Sequence, residues 1–143
     1  MKEKQKPNMR DFFMPEDLIS SYSRKQAIDD GLLVDVTEVA RQMGILYPVA
    51  LSRAVFDDSV SWSAKDDAKA FWPQDESGRL HDLVWLLYLA MRGAKPGEAR
   101  VSFDLNRVPR PGKGKKRKVS LRAEVHGGDN GEPVVTVMLP NED

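Results

Sequence analysis

The sequence predicts an α+β fold, in which N-terminal helices and one long buried helix pack on a C-terminal antiparallel sheet of three or four strands. Two observations predict it. Apolar residues recur at helical spacing in the first two thirds of the chain, whereas they alternate with polar residues after residue 99. A chain of 143 residues suffices for one core. We therefore expect a single domain over 12–143, with a helical part at 12–93 and a β part at 99–140.

The first predicted helix follows a basic leader. Residues 1–11 are mostly polar and are expected to be disordered. Ser23 and Gln26 have the spacing of a capping box, and Gly31 suits a left-handed helix end. These signals predict a helix at 24–30.

The next segment is predicted to hold a short extended stretch and two more helices. Residues 32–36 are mostly apolar and can add a fourth strand to the sheet. Thr37 is the predicted cap of a second helix, which ends at Gly44. Pro48 fits the first position of a third helix, because proline lacks the N–H group that this position leaves unpaired.

The longest helix is predicted near the middle of the chain. Residues 79–92 are apolar nearly all round the helix, which indicates burial on more than one side. A shorter helix at 64–71, capped by Ser63, is predicted within the acidic and aromatic segment 57–76.

The β part begins with two alternating stretches, around 101–105 and 119–125, and each predicts a half-buried strand. A third strand is predicted at 134–139, after a turn-rich connector. Residues 107–118 join the first two strands, and we expect them to form a long hairpin loop.

The charges are segregated along the chain although they sum to zero. Of the 22 bases and 22 acids, residues 107–118 hold seven bases and no acid, and residues 1–10 hold four bases and one acid. The remaining residues carry 11 bases and 21 acids, a net charge of −10. The neutral total therefore conceals an acidic body and a basic loop.

Several classes of protein are excluded by composition. The chain has no Cys, which removes disulfide scaffolds, thiolate metal sites and cysteine nucleophiles. The longest strongly apolar run, at 83–91, is too short for a membrane span, and the start of the chain lacks the apolar segment of a secretory signal. We therefore expect a cytoplasmic protein that does not associate with a membrane, and we expect no metal ion and no cofactor.

Three segments of the sequence resemble one family of proteins. They are residues 20–36 (SSYSRKQAIDDGLLVDV), residues 44–51 and residues 128–140 (GDNGEPVVTVMLP). The family that they resemble consists of small bacterial proteins of unknown function, associated with plasmids, phages and other mobile elements. The resemblance implies a role in a mobile element, and it implies no catalytic residues.

The strongest candidate site is the cluster of bases in the predicted hairpin loop. Cations on an extended loop can contact phosphates without reading the base sequence. The alternative is that the loop only balances the charge of the acidic body. The run contains no aromatic residue, which weakens a model of stacking on single strands. The candidate nucleic-acid-binding residues are Arg107, Arg110, Lys113, Lys115, Lys116, Arg117 and Lys118.

A second candidate is an aromatic stripe on the long helix. Its members share one face at helical spacing and are His81, Trp85, Tyr88 and Arg92. These residue types are enriched at interfaces, but such a stripe is also typical of a core whose polar tips are satisfied. The other histidine, His126, is expected to be exposed at the end of a strand.

Acidic pairs are a third feature. Neighbouring side chains on a helix diverge by ~100°, so we interpret the pairs Asp29-Asp30, Asp57-Asp58 and Asp66-Asp67 as solvated surface. The alternative is that residues 57–76 contribute to a cation site or receive a basic partner.

The sequence thus predicts a non-enzymatic accessory protein that binds a protein or a nucleic acid through the basic loop. The segment with Trp62, Phe71 and Trp72 is a further candidate surface. The alternative is a small enzyme or ligand-binding domain around His81. An apolar pocket at His81 would favour that alternative, whereas a projecting basic loop would favour the binding module.

Overall fold

The computed structural model describes residues 22–142, so the predicted leader at 1–11 lies outside the described residues. The helices in this range are α1 (Arg24–Asp29), α2 (Thr37–Gln42), α3 (Arg53–Val55), α4 (Ala64–Lys69) and α5 (Glu76–Arg92), with a π-helical turn at Phe56–Val60 directly after α3. The strands are β1 (Leu33–Asp35), β2 (Val49–Ser52), β3 (Arg100–Asn106), β4 (Lys118–Gly127) and β5 (Pro133–Met138).

Side-chain caps begin two of the helices where the sequence predicts them. Ser23 starts α1 and Ser63 starts α4, each within a complete capping box. The prediction that Thr37 caps α2 is wrong, because the cap position is Val36, whose side chain makes no cap bond. The Thr37 hydroxyl instead accepts from the Val49 N–H at 3.1 Å, which ties α2 to the start of β2.

The five strands form one mixed sheet in the order β1-β2-β5-β4-β3. β3, β4 and β5 pair antiparallel, as the sequence predicts. β2 pairs parallel with β5, in a register that sets Val49 beside Val135, and β1 pairs antiparallel with β2. The α+β prediction is confirmed, but the prediction of an antiparallel sheet of only three or four strands is wrong.

The segment after Pro48 is a strand where the sequence predicts a third helix. Val49, Ala50 and Leu51 are fully buried, and the Val135 N–H donates to the Pro48 carbonyl at 2.8 Å. A short apolar run fits either a buried strand or a buried helical turn. The partner that decides between them, β5, lies at the other end of the chain. The part predicted as helical therefore contributes a central strand to the sheet.

α5 packs along one face of this sheet. Leu83, Val84 and Leu87 are fully buried and share the core with side chains from the strands beneath them. The predicted burial on more than one side is confirmed, because α5 contacts the π-helical turn and α2 as well as the sheet. It does not extend to the outer face, where Trp85 is 49% exposed and Leu89 is 44% exposed. Leu80, Leu86 and Met91 still pack against the core, so the solvent-facing apolar side chains of α5 are those of Trp85 and Leu89.

The opposite face of the sheet carries a polar network that joins α1 to β5. Arg24 donates from Nη1 to Thr136 Oγ1 at 2.8 Å and from Nη2 to the Val135 carbonyl at 2.9 Å. Asp129 accepts from the Arg24 backbone N–H at 2.7 Å. His126 is exposed, as predicted, and its Nε2 lies 2.7 Å from the Thr136 hydroxyl. The first and last segments of the family resemblance therefore contact each other.

Candidate nucleic-acid interface

Residues 107–117 connect β3 to β4 and, with Lys118 at the start of β4, form what we call the basic loop. The Arg107 N–H donates to the Arg117 carbonyl at 2.9 Å, which extends the strand pair into the base of the loop. Farther out, the Lys113 N–H donates to the Arg110 carbonyl at 2.9 Å and closes a turn. Gly112 in this turn has a φ of +84°, which glycine adopts without steric cost.

Arg107 fixes the base of the basic loop to the π-helical turn. Its Nε and Nη2 donate to the two carboxylate oxygens of Asp58 at 3.1 and 2.9 Å, a bidentate geometry. Its Nη1 donates to the Lys116 carbonyl at 2.6 Å, within the loop itself. Burial raises the pKa of Asp58, but the hydrogen bonds from Arg107 and Ser59 outweigh this effect and hold the pKa below its ordinary value.

Arg110 makes a second ion pair, with the start of α4. Its Nε donates to Asp66 Oδ2 at 2.9 Å. The backbone N–H of Ser63 donates to the same oxygen at 2.9 Å. This backbone hydrogen bond is the largest cause of the lowered pKa of Asp66, and Arg110 lowers the pKa further. The capping box of α4 therefore also anchors the basic loop.

A buried arginine of α5 makes the third anchor. Arg79 is 4% exposed and donates from Nη1 to the Val108 carbonyl at 2.7 Å and from Nε to the Val60 carbonyl at 3.1 Å. Its guanidinium lies over the ring of Trp62, 4.9 Å from the centroid. Burial, followed by the nearby charge of Arg107, lowers the pKa of Arg79. The loop is thus attached to the π-helical turn, to α4 and to α5.

Two of the acidic pairs have a structural role that the sequence does not reveal. Asp58 and Asp66 each bind an arginine of the basic loop, so interpreting them as solvated surface is wrong. Segment 57–76 does receive a basic partner, and that partner belongs to the same chain. The two ion pairs join residues 49 and 44 positions apart. The opposite charges of the two segments were the only signal for this pairing, and no local spacing reports it.

The remaining cations of the basic loop are presented to solvent. Every residue from Lys113 to Lys118 is exposed; we call this segment the cationic tip. It runs from the turn back to the start of β4, where Arg117 lies opposite Arg107. Lys118 Nζ lies 3.3 Å from Asp104 Oδ2, with more than half of each side chain exposed, and such surface pairs contribute little stability. The cationic tip consists of six residues, of which five are cations: Lys113, Lys115, Lys116, Arg117 and Lys118.

The aromatic residues of segment 57–76 differ in exposure. Trp62 is 7% exposed and donates from Nε1 to Asp67 Oδ1 at 3.1 Å, so it belongs to the fold and not to a contact surface. Phe71 is 87% exposed and Trp72 is 56% exposed. Phe71 and Trp72 therefore remain candidates for the contact surface that the sequence suggests, whereas Trp62 does not.

The aromatic stripe of α5 lies on the outer face of the helix. His81 is exposed, and its Nδ1 lies 2.7 Å from the Ser77 carbonyl oxygen. Trp85 stacks on Tyr88 with ring centroids 5.6 Å apart, and the Arg92 guanidinium lies 5.7 Å from the Tyr88 centroid. Trp85, Tyr88 and Arg92 therefore form a row along the surface of the helix. The interpretation of this stripe as core residues with hydrogen-bonded polar ends is wrong for Trp85, which is exposed. Because His81 is exposed, it does not lie in an enclosed apolar pocket.

Two further properties bear on the choice of function. Between residues 22 and 142, no group of three or more His, Asp or Glu side chains is placed to hold a metal ion. None of the helices in the described part of the chain combines the length and apolarity that crossing a membrane requires.

Fold and site together define a small α+β protein that presents a basic hairpin loop anchored to an acidic helical segment. A model for a family of unknown function (DUF6573) matches residues 9–143, and the chain belongs to that family. Comparison of the chain with curated proteins and with solved structures gave no match. The sequence-based prediction of an uncharacterised family is confirmed to this extent.

Proposed function

We propose that this protein binds nucleic acid through the cationic tip, as a cytoplasmic, non-enzymatic accessory protein of a mobile genetic element. The main support for the proposal is that the arginines and lysines of one loop have two different roles. Arg107 and Arg110 bind carboxylates of the body and hold the loop, whereas the five cations of the tip are exposed. The role in a mobile element rests on the resemblance of residues 20–36 and 128–140 to proteins of such elements.

The anchored base favours phosphate binding for an energetic reason. Ordering a flexible loop on a ligand costs free energy, and fixing the loop beforehand removes part of that cost. The Arg79, Arg107 and Arg110 contacts fix it in the absence of ligand. Cations at the tip can then release condensed counterions from the phosphates, which is the main source of sequence-independent affinity.

A loop that only balanced the acidic body would place its cations against the acids of that body. Arg107 and Arg110 do so, with carboxylate contacts of 2.9 Å. The cationic tip instead exposes its side chains to solvent, and the contact of Lys118 with Asp104 is a surface pair that contributes little stability. Because the body is acidic, it repels phosphates, so we expect nucleic acid to approach from the side of the tip.

The proposal is tested by replacing four of the five cations of the tip with a neutral polar residue. In the variant Lys115→Gln/Lys116→Gln/Arg117→Gln/Lys118→Gln, affinity for a labelled oligonucleotide of about 20 nucleotides should fall more than about tenfold at low salt. Fluorescence anisotropy at about 50 mM salt measures the affinity.

The matched control removes the same charge elsewhere. Lys25, Arg41, Lys95 and Arg100 are exposed and lie outside the basic loop, and changing these four to Gln should leave the affinity within about twofold of wild type. Equal losses of affinity in the two variants would show that the net charge of the protein, and not the tip, governs binding, which would also overturn the proposal. An unchanged affinity of the tip variant, or no binding by the wild type, would overturn the proposal.

A further inference from the structure

Phe71 and Trp72 are an exposed aromatic pair on the segment between α4 and α5. Their side chains are 87% and 56% exposed, and their rings meet edge to face with centroids 5.0 Å apart. Large aromatic side chains are usually buried at least in part. Two adjacent ones left in solvent mark a surface whose apolar area is available to a ligand.

The segment that carries this pair is held at both ends. Asp67 of α4 accepts from the Gln74 N–H at 3.3 Å, and the same oxygen accepts from Trp62 Nε1. On the other side, Asp75 caps α5 by accepting from the Gly78 N–H at 2.7 Å. The aromatic pair is therefore presented from a fixed base.

One ion pair joins α4, which precedes the aromatic pair, to the basic loop just before the cationic tip. Asp66 of α4 bonds Arg110 of the basic loop at 2.9 Å. Phe71 follows Asp66 by five residues and Lys113 follows Arg110 by three, and a residue spans at most ~3.6 Å of extended chain. Each is thus within about 20 Å of the same contact. A nucleic-acid strand of several nucleotides can reach both.

We infer that Phe71 and Trp72 form a stacking platform that makes the interface selective for single-stranded nucleic acid. This inference rests on the proposed function, because the cationic tip supplies the phosphate contacts. Unpaired bases expose their faces and stack on aromatic rings, whereas a duplex hides the same faces between neighbouring base pairs. The base faces of single strands complement the aromatic pair, and their phosphates complement the tip.

The inference predicts a selective loss in the variant Phe71→Ala/Trp72→Ala. Its affinity for a single strand of about 20 nucleotides should fall about 5- to 100-fold, the range for losing one stacked base. Its affinity for the duplex of the same sequence should stay within about twofold, because the phosphate contacts remain. The same loss is expected for DNA and RNA single strands, since the rings contact base faces and not the sugar.

The control variant is Trp85→Ala/Leu89→Ala, which removes an exposed apolar pair from the outer face of α5. It should bind both oligonucleotides like the wild type, and thermal melting by circular dichroism checks that both variants are folded. Equal affinity of wild type and Phe71→Ala/Trp72→Ala for the single strand overturns the inference. If the tip variant nevertheless loses binding, the proposed function stands. If the wild type binds neither oligonucleotide, both fall.

Discussion

Asp58 is a single residue that fixes the position of the basic loop. Its carboxylate accepts two hydrogen bonds from Arg107, and the same guanidinium donates to a carbonyl inside the loop. About a third of the Asp58 side chain is exposed, against 12% for Arg107. Removing the carboxylate would leave a largely buried guanidinium without its anion, which costs more than the loss of a surface ion pair.

We expect Asp58→Asn to destabilise the protein by about 1–2 kcal/mol at pH 7, the lower part of the range for charged hydrogen bonds because water reaches this carboxylate. The folded-state pKa of Asp58 lies below its ordinary value. Its stabilising contribution is therefore complete above about pH 4 and is lost as the pH falls through the folded-state pKa. Urea unfolding at several pH values measures the difference between variant and wild type.

The control for this prediction is Asp57→Asn. Asp57 is adjacent in sequence, but its side chain is 54% exposed and lies 3.5 Å from Arg53, so its loss should cost little at any pH. A difference between Asp58→Asn and wild type that stays constant from pH 7 down to pH 3 would contradict the ion pair as its cause.

At the scale of elements, β2 decides the architecture. It lies between β1 and β5 and turns an antiparallel sheet into a mixed one. Its position also fixes the π-helical turn, because α3 and that turn follow β2 without a break. The turn carries Asp58, so the site of the loop anchor depends on where β2 pairs.

Amide hydrogen exchange tests the placement of β2. The Val135 N–H donates to the Pro48 carbonyl, which is available only if β2 lies beside β5. In a sheet that ended at β5, this amide would face water. We expect the exchange of Val135 to require unfolding of the whole domain, whereas the amide of Lys115 at the tip exchanges freely. Fast exchange at Val135 would contradict the mixed sheet.

The elements show how far the sequence predicts this fold. α1, α4 and the three C-terminal strands follow from local signals: capping residues, alternation in β3 and β4, and the turn-rich connector before the apolar run of β5. β2 could not be recognised, because three apolar residues followed by Ser52 have no decisive period and their partner is distant in sequence. The exposed outer face of α5 was missed for a related reason. Periodicity reports which residues are apolar, not how many neighbouring elements exist to cover them.

Charge organisation is the property of the whole molecule that bears on function. The sequence predicts an acidic body and a basic loop, but only the structure divides the loop into anchors and a tip. Arg107 and Arg110 bind acids of the body, so two of the seven candidate site residues serve the fold. This division could not be predicted, because it depends on contacts between segments far apart in the chain.

The salt dependence of the affinity shows whether the cations of the tip contact phosphates. Each phosphate contact contributes roughly −0.7 to the slope of log affinity against log salt concentration for single strands. If the five cations of the tip all contact phosphates, the wild-type slope on a single strand is about −3.5. Changing Lys115, Lys116, Arg117 and Lys118 to Gln should leave a slope of about −0.7. Equal slopes for the two proteins would contradict nucleic-acid binding by the tip.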